Sequence, residues 1–168
     1  MDLITVIQSQ YYASLMMLKQ SIEKCPKDLW NEPSDSPAFW QIAYHALFYT
    51  HLYLQPEGAE FVPWEQHIEN YQLLGATPWP PHEKPEIGEA YKKESLLEYL
   101  ELCFDEVLRV MPQLDFEADS GFDWLPFGKL ELQFYNIRHL MQHTGELSTL
   151  LNKRSGILID WIGMKPVD

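Results

Sequence analysis

The stretch KLELQFYNIRHLMQHTGELSTLLNKRS, residues 129–155, reads as one long helix with two histidines on it. Lys153 and Arg154 suit the negative end of a helix dipole, and Gly156 is the natural left-handed cap that follows. Working back along the chain, residues 92–111 form a second helical pattern. Leu96, Leu100, Cys103, Val107 and Val110 make one stripe, Leu97, Phe104, Leu108 and Met111 lie beside it, and Pro112 ends it. A third pattern starts at Ser36-Pro37, an N-cap residue followed by a proline at the first helical position, and stops at Leu54 before Gln55-Pro56. Its aromatics Phe39, Trp40, Tyr44, Phe48, Tyr49 and Tyr53 make an apolar surface wide enough for contact on more than one side. Residues 3–24 complete the set, with Ile4, Ile7, Tyr11, Ser14, Leu18 and Ile22 on one face, Lys24 in the last turn and Pro26 as the stop.

Between the second and third helices in chain order lies a connector, residues 56–90, broken by Pro56, Pro63, Pro78, Pro80, Pro81 and Pro85. A short helix is predicted within it over Trp64–Leu74. A connector of this length is unusual in a small domain, and it can return the chain to the other end of a bundle, so the helices it joins are expected to run parallel. No strand-period pattern rivals the helices. The expected architecture is an all-α four-helix bundle with a long crossover between helices two and three, one domain over residues 1–168, and a short apolar tail (Ile157-Leu158-Ile159, Trp161) packed on the bundle or on a second subunit.

Composition sets the outer bounds. The 168 residues are 46% hydrophobic and 22% charged, which is globular composition. The formal net charge of −13 repels a nucleic-acid backbone and an anionic membrane alike, and the densest basic spots, Lys92-Lys93 and Lys153-Arg154, are two residues each. No apolar run approaches the ~18 residues of a spanning helix. Cys25 and Cys103 fall in no C-x-x-C motif, and the N-terminus lacks a basic start, so a cytoplasmic protein with buried, reduced thiols is expected.

His139 and His143 carry the chemical signal. Four residues advance a helix about 40° beyond a full turn, so both rings leave one face with Cβ atoms roughly 6 Å apart. That separation lets both reach one divalent cation at the usual Zn–N distance of about 2.0–2.1 Å. With six histidines in the chain such a pair also arises by chance, and core or surface roles stay open on spacing alone. His45 shares a face with Ile42, Tyr49 and Leu52 that is expected to point into the bundle. His51, about 120° further round, is then expected to point away, and His67 and His82 in the connector to be solvated. Three imidazoles without a fourth protein ligand leave the open position of a catalytic metal site. Glu146, three residues after His143, shares the face and can serve as a fourth ligand, a general base or an orienting partner of an imidazole. Asn136, on the same face, can bond a substrate or simply sit on the helix surface.

Phe39-Trp40-Gln41-Ile42-Ala43-Tyr44-His45 resembles the start of the second helix in the DinB/YfiT-like superfamily, and Tyr135 through Leu147 resembles its fourth-helix motif, a histidine pair followed by a glycine and a polar residue. With the helix order and the long connector, the likeness covers most of the chain. The resemblance implies a four-helix bundle, often a homodimer, whose divalent metal (zinc, nickel or iron) is held by the residues here numbered His45, His139 and His143. It implies action on a small molecule. Characterised members include transferases and isomerases that use low-molecular-weight thiols such as mycothiol or bacillithiol, and others are called metal-dependent hydrolases. Glu146 stands where relatives often carry glutamine, an extra carboxylate that alters the charge at the metal. On this reading Glu146 is the candidate base, a thiol is a candidate cofactor, and the aromatic connector (Trp64, Tyr71, Trp79) is expected either to roof an apolar pocket or to pack over the bundle. The rival reading is a non-catalytic dimeric bundle that binds a small apolar ligand, with the metal structural or absent.

Overall fold

A computed structural model describes residues 2–165. Five α-helices account for its regular structure: α1 Leu3–Lys24, α2 Lys27–Trp30, α3 Phe39–Leu54, α4 Lys93–Val110 and α5 Lys129–Ser155. Short 3-10 turns lie at Gly58–Glu60 and Met111–Gln113, and among the described residues the sole β-type pairing is an isolated bridge between Asp119 and Gly128. The four long helices form a helical bundle. Helix α1 packs on α4 and α5, and so does α3, which places α1 and α3 on one diagonal.

Each helix boundary has a local cause. Asp2 caps α1, its carboxylate accepting from the backbone N–H groups of Ile4 and Thr5 (3.3 and 3.2 Å). Gly156 ends α5 at φ 68°, in the left-handed region. The expected start of α3 is corrected. Ala38, still extended at φ −70° and ψ 160°, is its N-cap, and the helix begins at Phe39, while Ser36-Pro37 lies in the preceding turn. The predicted helix over Trp64–Leu74 is also absent. That segment is a series of turns closed by isolated bonds such as His67 N–H to Trp64 O and Leu73 N–H to Asn70 O, and Asn70 sits at φ 69°, outside helical space. Residues 156–165 run back along α1. Lys24 Nζ donates to the Leu158 carbonyl (3.1 Å), and the amide of Asp160 donates to Gln20 (2.9 Å).

Helix α3 is the centre of the bundle, because every residue in it is buried except His45 and Tyr49, which are half-buried. The connector covers it with aromatics. Trp64 stacks on Tyr99 at 4.6 Å and 3°, and Tyr71 and Tyr91 meet Trp40 at 5.5 and 5.7 Å. The expectation of an aromatic roof is thus resolved toward packing for Trp64 and Tyr71, which fill the core, while Trp79 is exposed. At the far end of α3 the loop before α5 folds back over the helix terminus. Lys129 is buried and donates to the carbonyls of Pro56 and Ser120, and Gly121 at φ 83° lies so close to the Pro56 carbonyl that no side chain fits there.

Candidate metal centre

The faces of α3 and α5 that meet are built from small and apolar residues with the histidines at their edge. On α5, Leu132, Asn136, Leu140, His143, Leu147 and Leu151 are buried at steps of three and four, and His139 stands beside that stripe. On α3, His45 is the half-buried residue turned toward them. The three rings meet at their Nε2 atoms. His45 Nε2 lies 3.1 Å from His139 Nε2, and His143 Nε2 lies 3.2 Å from the same atom. All three ligand atoms fall within 4.8 Å of one another. A tetrahedral ion bound at about 2.0–2.1 Å sets its nitrogens about 3.3–3.4 Å apart, so the cluster has the dimensions to hold a metal ion.

The outer nitrogens fix the tautomers. His45 Nδ1 donates to the carbonyl of Gln72 at 2.6 Å, and His143 Nδ1 donates to Glu146 Oε2 at 2.8 Å. Both rings therefore carry their proton on Nδ1 and present an Nε2 lone pair to the centre. A proton on His139 Nε2 can satisfy one of those lone pairs and not both, whereas a cation satisfies all three rings. Burial, reinforced by the neighbouring imidazoles, pushes His45 down to about 3 and His139 down to about 4. Near neutral pH both are uncharged, the state that ligation requires. Tyr49 and Tyr135 wall the cluster on the His139 side, with ring centroids 5.5 and 6.4 Å from that ring.

The structure brings His45, His139 and His143 together and holds Glu146 against His143. Asn136 is elsewhere: it is fully buried and donates to the Thr50 carbonyl at 3.0 Å, tying α5 to α3. His82 is exposed, as expected. Two histidine expectations are corrected. His67 is half-buried, and its Nδ1 is hydrogen-bonded to the Tyr44 hydroxyl at 2.6 Å. His51 is buried on the opposite side of α3, beside Tyr99 (3.2 Å from its hydroxyl) and Phe61. Both His45 and His51 are enclosed because the connector and α4 cover the side of α3 that α5 does not. The residue that sequence reasoning missed is Gln72, whose main-chain carbonyl orients His45; nothing in its side-chain type marks it. Comparison with protein-family models, with curated proteins and with solved structures finds no match to this chain.

The setting of His51 gives a pH dependence. Burial lowers its pKa below the ordinary 6.5, with Glu106 pulling upward and Arg109 downward as lesser effects. Below that ordinary value the unfolded chain binds a proton that the folded chain refuses, so stability falls as pH drops through 6.5. The thermal midpoint, followed between about pH 8 and 5, is expected to fall more steeply for the native chain than for His51→Gln.

Proposed function

We propose that this chain is a metal-dependent enzyme of the DinB-like kind, in which His45, His139 and His143 hold a divalent cation. The observation that carries the reading is the convergence of three Nε2 atoms, two of them in fixed tautomers, on one point between α3 and α5. The cation, whether zinc, nickel or iron, supplies Lewis acidity that lowers the pKa of a water or thiol toward neutrality, for hydrolysis or thiol transfer on a small molecule. The chain's own groups set the geometry. Gln72 and Glu146 hold the His45 and His143 rings from behind, and three protein ligands leave a position free for the reacting molecule. Of the roles that the sequence allows Glu146, its bond to His143 Nδ1 favours that of a positioning residue, since that nitrogen lies on the far side of the ring from Nε2. The reading extends to a cytoplasmic homodimer that works on a small molecule, away from nucleic acid and membrane; among the described residues no helix is long and apolar enough to cross a membrane.

A second reading has its own support. The open groove beside His143 and Glu146 is lined by Pro37, Ile42, Leu74 and Leu150, with Asp35, Ser36 and Thr149 as its further polar part, a mostly apolar lining suited to a small apolar ligand with no reaction. Elemental analysis of the purified full chain, with zinc, nickel and iron titrations, tests the metal. One divalent ion per chain is expected, and no uptake of any of them overturns both metal versions. Glu146 is tested separately. Glu146→Ala is expected to weaken metal affinity roughly 10–100-fold with helical content unchanged, and Glu146→Gln, which keeps an acceptor oxygen, to lose much less.

A further inference from the structure

Residues 156–165 are fixed through their main chain and leave their largest side chains outside. The side-chain amide of Gln20 clamps the peptide units at Asp160, donating to its carbonyl (3.1 Å) and accepting from its N–H (2.9 Å). Lys24 donates to the Leu158 carbonyl, and Ser9 Oγ accepts from the amide of Lys165 at 3.0 Å. Ile157, Ile159 and Ile162 are half-buried, whereas Leu158, Trp161 and Met164 are 67%, 78% and 63% exposed. Trp161 is the most exposed large apolar residue among those described. Ordering a segment so that its apolar side chains face water is costly unless a partner covers them.

The same face carries a recess. A groove of about 310 Å³ lies between α1 and α4, and Lys165, four residues from Trp161, is part of its lining. Its apolar lining is Tyr12, Met16, Phe104, Val107 and Leu108; its polar lining is Gln8, Lys19, Glu101 and Lys165, with Lys19 and Glu101 paired to each other. A projecting indole and an apolar recess large enough for one therefore stand side by side. The charge suits a second copy. Residues 1–28 and 152–165 hold six of the chain's 12 Lys and Arg against four of its 25 Asp and Glu, whereas residues 29–151 hold six against 20. Two copies that meet through the acidic remainder repel one another, and two that meet through this face do so far less.

We propose that the tail and the α1–α4 groove are the two halves of a two-fold interface, in which the Trp161 side chain of each copy seats in the other copy's groove. Such an exchange is isologous and closes on itself, so it gives a dimer and not a filament. Two indoles, with Leu158 and Met164 around them, supply roughly half of the about 1,600 Å² that a standard interface buries, and the grooves that receive them supply most of the rest. The inference rests on the homodimer of the preceding reading and names its face; it needs nothing from the metal centre.

The test is sedimentation equilibrium with light scattering on the full chain, from about 1 μM to 1 mM, where a dimer is expected. Trp161→Glu and, at the groove, Leu108→Glu are each expected to weaken dimerisation at least about thirtyfold, since central aromatic anchors and their pockets dominate such interfaces. Both positions are exposed, so both variants are expected to keep the native circular dichroism. Trp79→Glu, at an exposed indole of the connector over α3, is expected to change nothing. A short bismaleimide is expected to join Trp161→Cys chains to Leu108→Cys chains far faster than either kind to itself, the native Cys25 and Cys103 being buried. A monomer throughout the range, or a dimer that neither Trp161→Glu nor Leu108→Glu weakens, overturns the proposal. So does a monomer that binds phosphatidylserine vesicles through Trp161, which makes the tail a membrane contact. Metal content of the same samples separates the readings. A dimer without metal overturns the metal centre alone, and stoichiometric metal in a monomer overturns this inference alone.

Discussion

His139→Ala is expected to abolish stoichiometric uptake of divalent metal while leaving a helical bundle that still melts cooperatively. His139 is the ring that both others face, at 3.1 and 3.2 Å, so its removal leaves two nitrogens and no third ligand. Loss of an outer partner alone costs roughly 10–100-fold in affinity, and loss of the central ligand is expected to exceed that range. The fold has reason to survive. His139 is half-buried at the edge of the α3–α5 contact, its Nδ1 has no hydrogen-bond partner among the described residues, and the leucines at 132, 140, 147 and 151 keep the stripe that holds the two helices together. Inductively coupled plasma measurement of metal per chain, beside a thermal melt, checks both halves. Metal retained in the variant sinks the three-histidine centre, and a chain that no longer folds makes the ion structural.

The largest expected loss of stability lies at Trp40. It is 2% exposed, donates from Nε1 to Asn31 at 3.0 Å, and meets Tyr71 and Tyr91 of the connector at 5.5 and 5.7 Å. Trp40→Ala opens a cavity between α3 and the connector, where rigid rings on both sides leave little room to collapse. The cost is expected near 3–5 kcal/mol, and the melting temperature is expected to fall by roughly 10 °C or more. Trp40→Phe keeps the ring contact and loses the bond to Asn31, so it is expected to cost much less. Guanidinium unfolding curves of the two variants check the order; equal, small effects would mean that the connector is not anchored there.

The helices were legible because their signals are local. The stripes of α1, α4 and α5 are periodic over many turns, and Pro26 and Gly156 punctuate them. The pair His139 and His143 was legible for the same reason, since both stand on one helix whose geometry is known in advance. His45 was readable from its face on α3, and its distance to the pair then followed from which helices pack together. What failed was long-range in the chain. The burial of His51 depends on Phe61 and Tyr99, and that of His67 on Tyr44, 23 residues away. The turns over Trp64–Leu74 depend on Asn70 adopting a left-handed conformation, which its periodicity does not reveal. The partner of Asp35 is Arg154, 119 residues later, and no window of sequence joins them.

The bond from His45 to Gln72 has an evolutionary corollary. The acceptor is a peptide carbonyl, and every amino acid supplies one. Exchanges of the side chain at position 72 leave the acceptor in place, so a scan of single substitutions there passes over a contact that orients a ligand ring. Insertions or deletions in the neighbouring loop do the opposite, since they displace the peptide unit itself. The contact is therefore expected to tolerate exchange of the Gln72 side chain better than a change of length in the loop, even though the neighbouring Tyr71 and Leu73 are fixed by their burial.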